Sequence, residues 1–132
     1  MRRNILATNL VLFIFINILN AQTDDAPAFK FIESKHDFGE IIQGKVVEHH
    51  FEFTNTGGTP LIISKIITTC GCTAPTWSKE PIKPGEKEKI TIVFNSTGKI
   101  GRQNKVVTIL SNASNQKERL FIMANILPKP GS

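Results

Sequence analysis

The chain has 132 residues, a formal net charge of +5 at pH 7, 40% hydrophobic residues and two cysteines. That length suits one domain, and two cysteines are too few for a disulfide scaffold. Lysines alternate with glutamates, as in Glu86-Lys87-Glu88-Lys89, which describes a solvated surface and speaks against a nucleic-acid partner.

Residues 1–21 read as a secretory signal peptide. Arg2 and Arg3 supply the positive start, Leu10 to Ile16 is unbroken apolar sequence, and Leu19-Asn20-Ala21 precedes a cleavage point before Gln22. Asn9 and Asn17 interrupt the apolar run, leaving it shorter than the roughly 18 residues of a spanning helix. The chain is therefore expected outside the cytoplasm, periplasmic or secreted, and at a membrane only if the leader stays attached. About 111 residues remain, which bury enough surface for a core without stapling.

From Gln22 onward no helical period is present; apolar residues alternate or form short runs between turn signals. Strands are expected at Phe29–Phe31 and Phe38–Ile42. Val47–Phe53 places Val47, His49, Phe51 and Phe53 on one face, with Glu48, His50 and Glu52 on the other. Asn55-Thr56-Gly57-Gly58 reads as a turn whose glycines are available for positive φ. Leu61–Thr69 is an isoleucine-rich strand, and Thr73–Lys83, with two prolines and Trp77, reads as a loop. Pro84-Gly85 suits the centre of a type II turn. Lys89–Phe94 alternates again, Ser96–Asn104 connects, and Val106–Leu110 with Leu120–Ile126 form a final hairpin across 111–116.

About seven short strands over residues 28–127 predict an all-β, immunoglobulin-like antiparallel sandwich, with a small closed barrel as the runner-up. Phe51, Phe53, Ile90, Ile92 and Phe94 should share its core. An antibody-type domain is excluded, because the cysteines are neighbours and the chain has no tyrosine.

Several motifs stand in a fixed order: His36-Asp37-Phe38-Gly39-Glu40-Ile41, Phe51-Glu52-Phe53-Thr54-Asn55-Thr56-Gly57, Pro60-Leu61, Cys70-Gly71-Cys72-Thr73-Ala74-Pro75 and Pro84-Gly85. Together they resemble a bacterial domain-of-unknown-function family of short exported proteins with a Cys-Gly-Cys-Thr motif. That family is similar to Hydin-like and major-sperm-protein-like immunoglobulin folds. The resemblance implies a β-sandwich and an extracytoplasmic setting, and it carries no agreed activity.

The residues offer little catalytic chemistry. No nucleophile–histidine–carboxylate order, paired-carboxylate motif or phosphate-cradling glycine loop is present, so no catalytic residue and no cofactor is assigned. His36 is placed at the surface and His49 half-buried with a hydrogen-bond partner. His49 and His50 face opposite sides of a strand and cannot clamp one metal without a bulge.

Cys70 and Cys72 keep three readings open: small structural residues, a redox-exchanging disulfide, or a soft-metal clamp for Cu(I). Residues i and i+2 of a strand share a face, and Gly71 lets the chain bend to bring them together. Two functions follow. One is a non-enzymatic envelope module that binds or assembles with a protein partner; the other is a thiol redox or copper-handling protein acting through Cys70 and Cys72.

Overall fold

The computed structural model describes residues 25–131; the expected leader lies outside them. Eight strands follow in chain order: β1 (Phe29–Phe31), β2 (Lys35–Ile42), β3 (Val46–Asn55), β4 (Ile63–Thr68), β5 (Thr73–Thr76), β6 (Lys87–Asn95), β7 (Gly101–Ser111) and β8 (Lys117–Leu127). The first sheet has the order β1-β3-β6-β5 and the second β2-β8-β7-β4. This is an immunoglobulin-like sandwich of two open sheets, not a closed barrel.

The inward set comes from the alternating strands. Phe51 and Phe53 of β3 lie beside Ile90, Ile92 and Phe94 of β6 on the inner face of the first sheet, and all five are buried. The second sheet answers with Ile66, Val107, Ile109, Leu120, Ile122 and Ile126. A fully buried residue of this size contributes roughly 1.5–3 kcal/mol over an exposed one, so this layer carries the fold. A one-residue slip in β3 would turn both phenylalanines to water.

Three details depart from the sequence reading. The β2–β8 pair runs parallel, with Lys35 beside Phe121 and Ile42 beside Leu127. The chain reaches β2 by crossing from one sheet to the other after β1, so it arrives in the same sense as the last strand. The expected loop after Cys72 begins with a four-residue strand, β5, whose Thr73–Thr76 pairs with β6 despite Pro75. An edge position makes that proline tolerable, because one side of the strand needs no donor. The long connection also ends early, since β7 starts at Gly101 and pairs with β8 along its whole length.

The turns follow their residues. Glu86 N–H donates to the Lys83 carbonyl across Pro84-Gly85, and Gly85 has φ 78°, as a type II turn requires. The glycine at 57 serves a different purpose from the one expected. Its φ is not positive; instead, a Cβ there would lie 2.1 Å from the Ala26 carbonyl oxygen. The turn must be bare so that the segment before β1 can pass over it.

Asn55 locks this region. It is completely buried, its Oδ1 accepts from the N–H groups of Ala28 and Gly57, and its Nδ2 donates to the carbonyls of Thr59 and Ile82. One side chain thus ties the start of β1, the turn and the Leu61–Ile82 bridge together.

Candidate functional site

Five connections carry the chain between the sheets; two of them, β1 to β2 and β4 to β5, join edge strands on opposite sides of the sandwich, and the chemistry-bearing residues gather at these two edge crossings. The second crossing joins β4 to β5 through Thr69–Cys72. Cys70 and Cys72 are joined by a disulfide, with Cα atoms 5.3 Å apart. A straight strand would hold them farther apart, so the bend at Gly71 closes the distance.

The surrounding bonds fix this turn. Thr73 N–H donates to the Cys70 carbonyl, Asn95 N–H to the Cys72 carbonyl, and the Thr68 hydroxyl to the Cys70 carbonyl. Cys72 packs against the core, while Gly71 is exposed. As a disulfide the pair offers no thiolate to a soft metal. A Cu(I) clamp would first require its reduction.

The first crossing runs from β1 to β2 through residues 32–34. There His36 of β2 and His49 of β3 stack across the open side of the sandwich, with ring centroids 3.6 Å apart and planes 6° from parallel. Phe38 meets the His36 ring edge-on at 4.7 Å, and Phe51 meets His49 at 4.8 Å. The Glu33 carboxylate contacts His49 Nε2.

His49 is therefore half-buried and hydrogen-bonded, as its strand position predicts. His36 is not the surface residue expected. Burial, and then the neighbouring His49, hold its pKa below the ordinary 6.5, while Glu33 and Asp37 pull the other way. The missed signal was strand length: β2 begins at Lys35, not Phe38, and that start puts His36 and Phe38 on one face.

Asp37 shapes the same strand. Its Oδ1 accepts the Gly39 N–H at 2.8 Å and its Oδ2 the Arg102 guanidinium at 2.9 Å. The Gly39 bond, and then Arg102, lower the Asp37 pKa below its ordinary 3.8. Gly39 has φ 72°, and the β2–β8 register shifts between Asp37 and Glu40. This Asp-Phe-Gly turn is the bulge that ends the half of β2 carrying His36. His50 lies on the opposite face from His49 and bonds the Thr91 hydroxyl at 2.8 Å.

The outer faces of the two sheets differ. On the first, Lys30, Lys87 and Lys89 lie among Glu48 and Glu52 in matched rows. On the second, Lys35, Lys65, Lys117 and Arg119 surround half-buried Val106, Leu110, Phe121 and Met123. Its carboxylates are Asp37, paired with Arg102, and Glu40 at the margin. Edge strand β4 adds Ile67, 45% exposed. The Lys35 ammonium lies 5.6 Å from the Phe121 ring centre.

Solved structures share this architecture. A protein of unknown function from Porphyromonas gingivalis W83 superimposes with a TM-score of 0.68 and 17% identity, over 83% of this chain and 51% of that one. The ASH/PapD-like domain of human CEP192 gives 0.62 and 12% identity, over 80% of this chain and 89% of that domain. The secreted serine protease VesC from Vibrio cholerae gives 0.57 and 15% identity, over 78% of this chain and 23% of the protease. The chain thus spans about half the length of the Porphyromonas protein and under a quarter of VesC. At these identities the likeness concerns the fold. No curated protein matches the chain in sequence. Residues 29–126 match the family described as "Protein of unknown function (DUF1573)", and the chain belongs to that family.

Proposed function

We propose that this domain is a non-enzymatic binding or assembly module of the cell envelope, exported by its leader, and that it engages an acidic segment of another protein. The observation that carries the reading is the outer face of the second sheet. Basic side chains at Lys35, Lys65, Lys117 and Arg119 rim an apolar strip of Val106, Phe121 and Met123, and Ile67 continues that strip to edge strand β4. Basic groups around an apolar centre favour an acidic partner that also buries apolar surface. The outer side of β4 has no strand beside it among the described residues, so its backbone can pair with an extended segment.

A photoreactive residue at position 67, introduced in the full chain in living cells, should give one adduct of defined mass with an envelope protein. The same residue at position 48, on the outer face of the first sheet, should give none. Equal adducts from both positions, or none from 67, contradict the reading. Recovery of the protein from the cytoplasm would contradict the exported part of it.

A second reading is favoured by one observation, the disulfide at an exposed bend of the second crossing. A thiol protein acting through Cys70 and Cys72 would exchange that bond with a partner thiolate. Trapping a mixed disulfide with Cys72→Ser in the envelope would support it, and its absence under oxidising export would oppose it.

A further inference from the structure

We infer that Glu33, His36 and His49 form a binding site for a divalent transition-metal ion, zinc by chemistry, that clips the two sheets together at the first crossing. Each side chain offers one donor atom, and the three donors lie within 4.8 Å of one another. They are the one such group of histidine, cysteine or carboxylate donors among the described residues. Each comes from a different piece of chain: Glu33 from the crossing, His36 from the second sheet and His49 from the first. The fold, not sequence proximity, assembles them.

The donor set selects the metal. Two imidazoles and one carboxylate suit zinc and its neighbours, whereas magnesium and calcium prefer oxygen donors. Zinc holds nitrogen at about 2.0–2.1 Å and carboxylate oxygen at about 2.0–2.2 Å, so bound donors stand roughly 3.3 Å apart. The wider separations therefore need to close by up to about 1.5 Å, while Glu33 and His49 Nε2, already in contact, move slightly apart.

The stack holds the two imidazole lone pairs in nearly parallel planes. One ring must tilt for the two to converge. His36 is the ring that can do so, because it sits on an edge strand, whereas His49 is held between Phe51 and the stack. The ion would replace the hydrogen bond between His49 Nε2 and Glu33, the imidazole proton moving to Nδ1, and binding weakens in acid because protons compete for the ligand nitrogens. Three protein donors leave a fourth position for water or a partner's side chain.

The purified chain, oxidised and stripped with a chelator, should bind one Zn2+ in a calorimetric titration and no Mg2+. At a hundredfold excess over the dissociation constant, the melting temperature should rise by on the order of 10 °C. Glu33→Gln and His36→Gln should each weaken zinc at least tenfold, while His50→Gln, on the opposite face, should leave it unchanged. Glu33 is exposed and makes no core contact, so its variant should fold as the parent does in chelator. Ring resonances of His36 and His49 should shift together on saturation. A titration without one-to-one uptake overturns the site, as does zinc bound equally by the Glu33→Gln, His36→Gln double variant. Loss of zinc with Cys70→Ser and Cys72→Ser instead would place the ion at the other crossing and equally overturn it.

Discussion

The two edge crossings, β1 to β2 and β4 to β5, solve one problem in two ways. At the second, Cys70 and Cys72 join covalently within three residues of chain. At the first, Glu33, His36 and His49 make a contact between residues up to sixteen apart, and a net of rings continues it into the core. A covalent link over so short a span removes little unfolded-chain freedom, since the entropy gained grows with the loop enclosed. A side-chain cluster between distant strands gains more from the fold around it and responds to pH. The covalent crossing should be the less important to stability and the less sensitive to acid.

The largest loss should come from outside both crossings, at the residue that anchors the start of β1. Asn55→Ala leaves two N–H groups and two carbonyls in and beside the core without their partner. It should cost about 3 kcal/mol, read as the midpoint of urea unfolding. A loss below 1 kcal/mol would mean that β1 is not held as described. The paired substitution Cys70→Ala, Cys72→Ala comes next, at about 1.5 kcal/mol, because its loop is minimal. A larger loss there would contradict the small contribution expected of so short a link.

Acid should act on the first crossing. His36 titrates below 6.5 in the folded chain, so the unfolded chain takes up its proton first as pH falls. Stability supplied by neutral His36 is complete above pH 6.5 and declines below it, through its folded value. In metal-free protein the unfolding midpoint should fall between pH 7 and 5, and His36→Gln should flatten that slope. Glu33→Gln should depress the His36 pKa further, because Glu33 pulls it upward.

The smallest effect belongs to the exposed Asp37–Arg102 pair. Arg102→Ala should change stability by only a few tenths of a kcal/mol. It should raise the Asp37 pKa only part of the way to 3.8, because the Gly39 N–H is the larger cause of its lowering. A carboxyl resonance followed through acid would show this.

Much of the fold could be read directly from residues. Val47 to Phe53 and Lys89 to Phe94 alternate because one face is buried, and those faces meet in the core. The parallel β2–β8 pair could not be read, because parallel or antiparallel pairing is decided by where the chain crosses, and no residue type marks that choice. Strand β5 hid behind the prolines at 75 and 81, since edge position excuses a proline that pattern reading counts against a strand. The cysteines were visible as a motif. The histidine cluster was not, because Glu33, His36 and His49 lie on three segments that only the sandwich brings together, and His36 fell outside the strand expected there.

The functional reading rests on a second contrast, between the mixed outer face of the first sheet and the basic, partly apolar face of the second. Matched charge reversals test it most directly, scored by the yield of the adduct formed from position 67. Lys65→Glu with Arg119→Glu changes the second face, and Lys87→Glu with Lys89→Glu makes the same change in charge on the first. All four side chains are exposed, so both variants should fold with the parent's melting temperature within a few degrees. The account predicts that the first pair abolishes the adduct and the second leaves it intact. An adduct lost equally in both, or retained in the first, would contradict it.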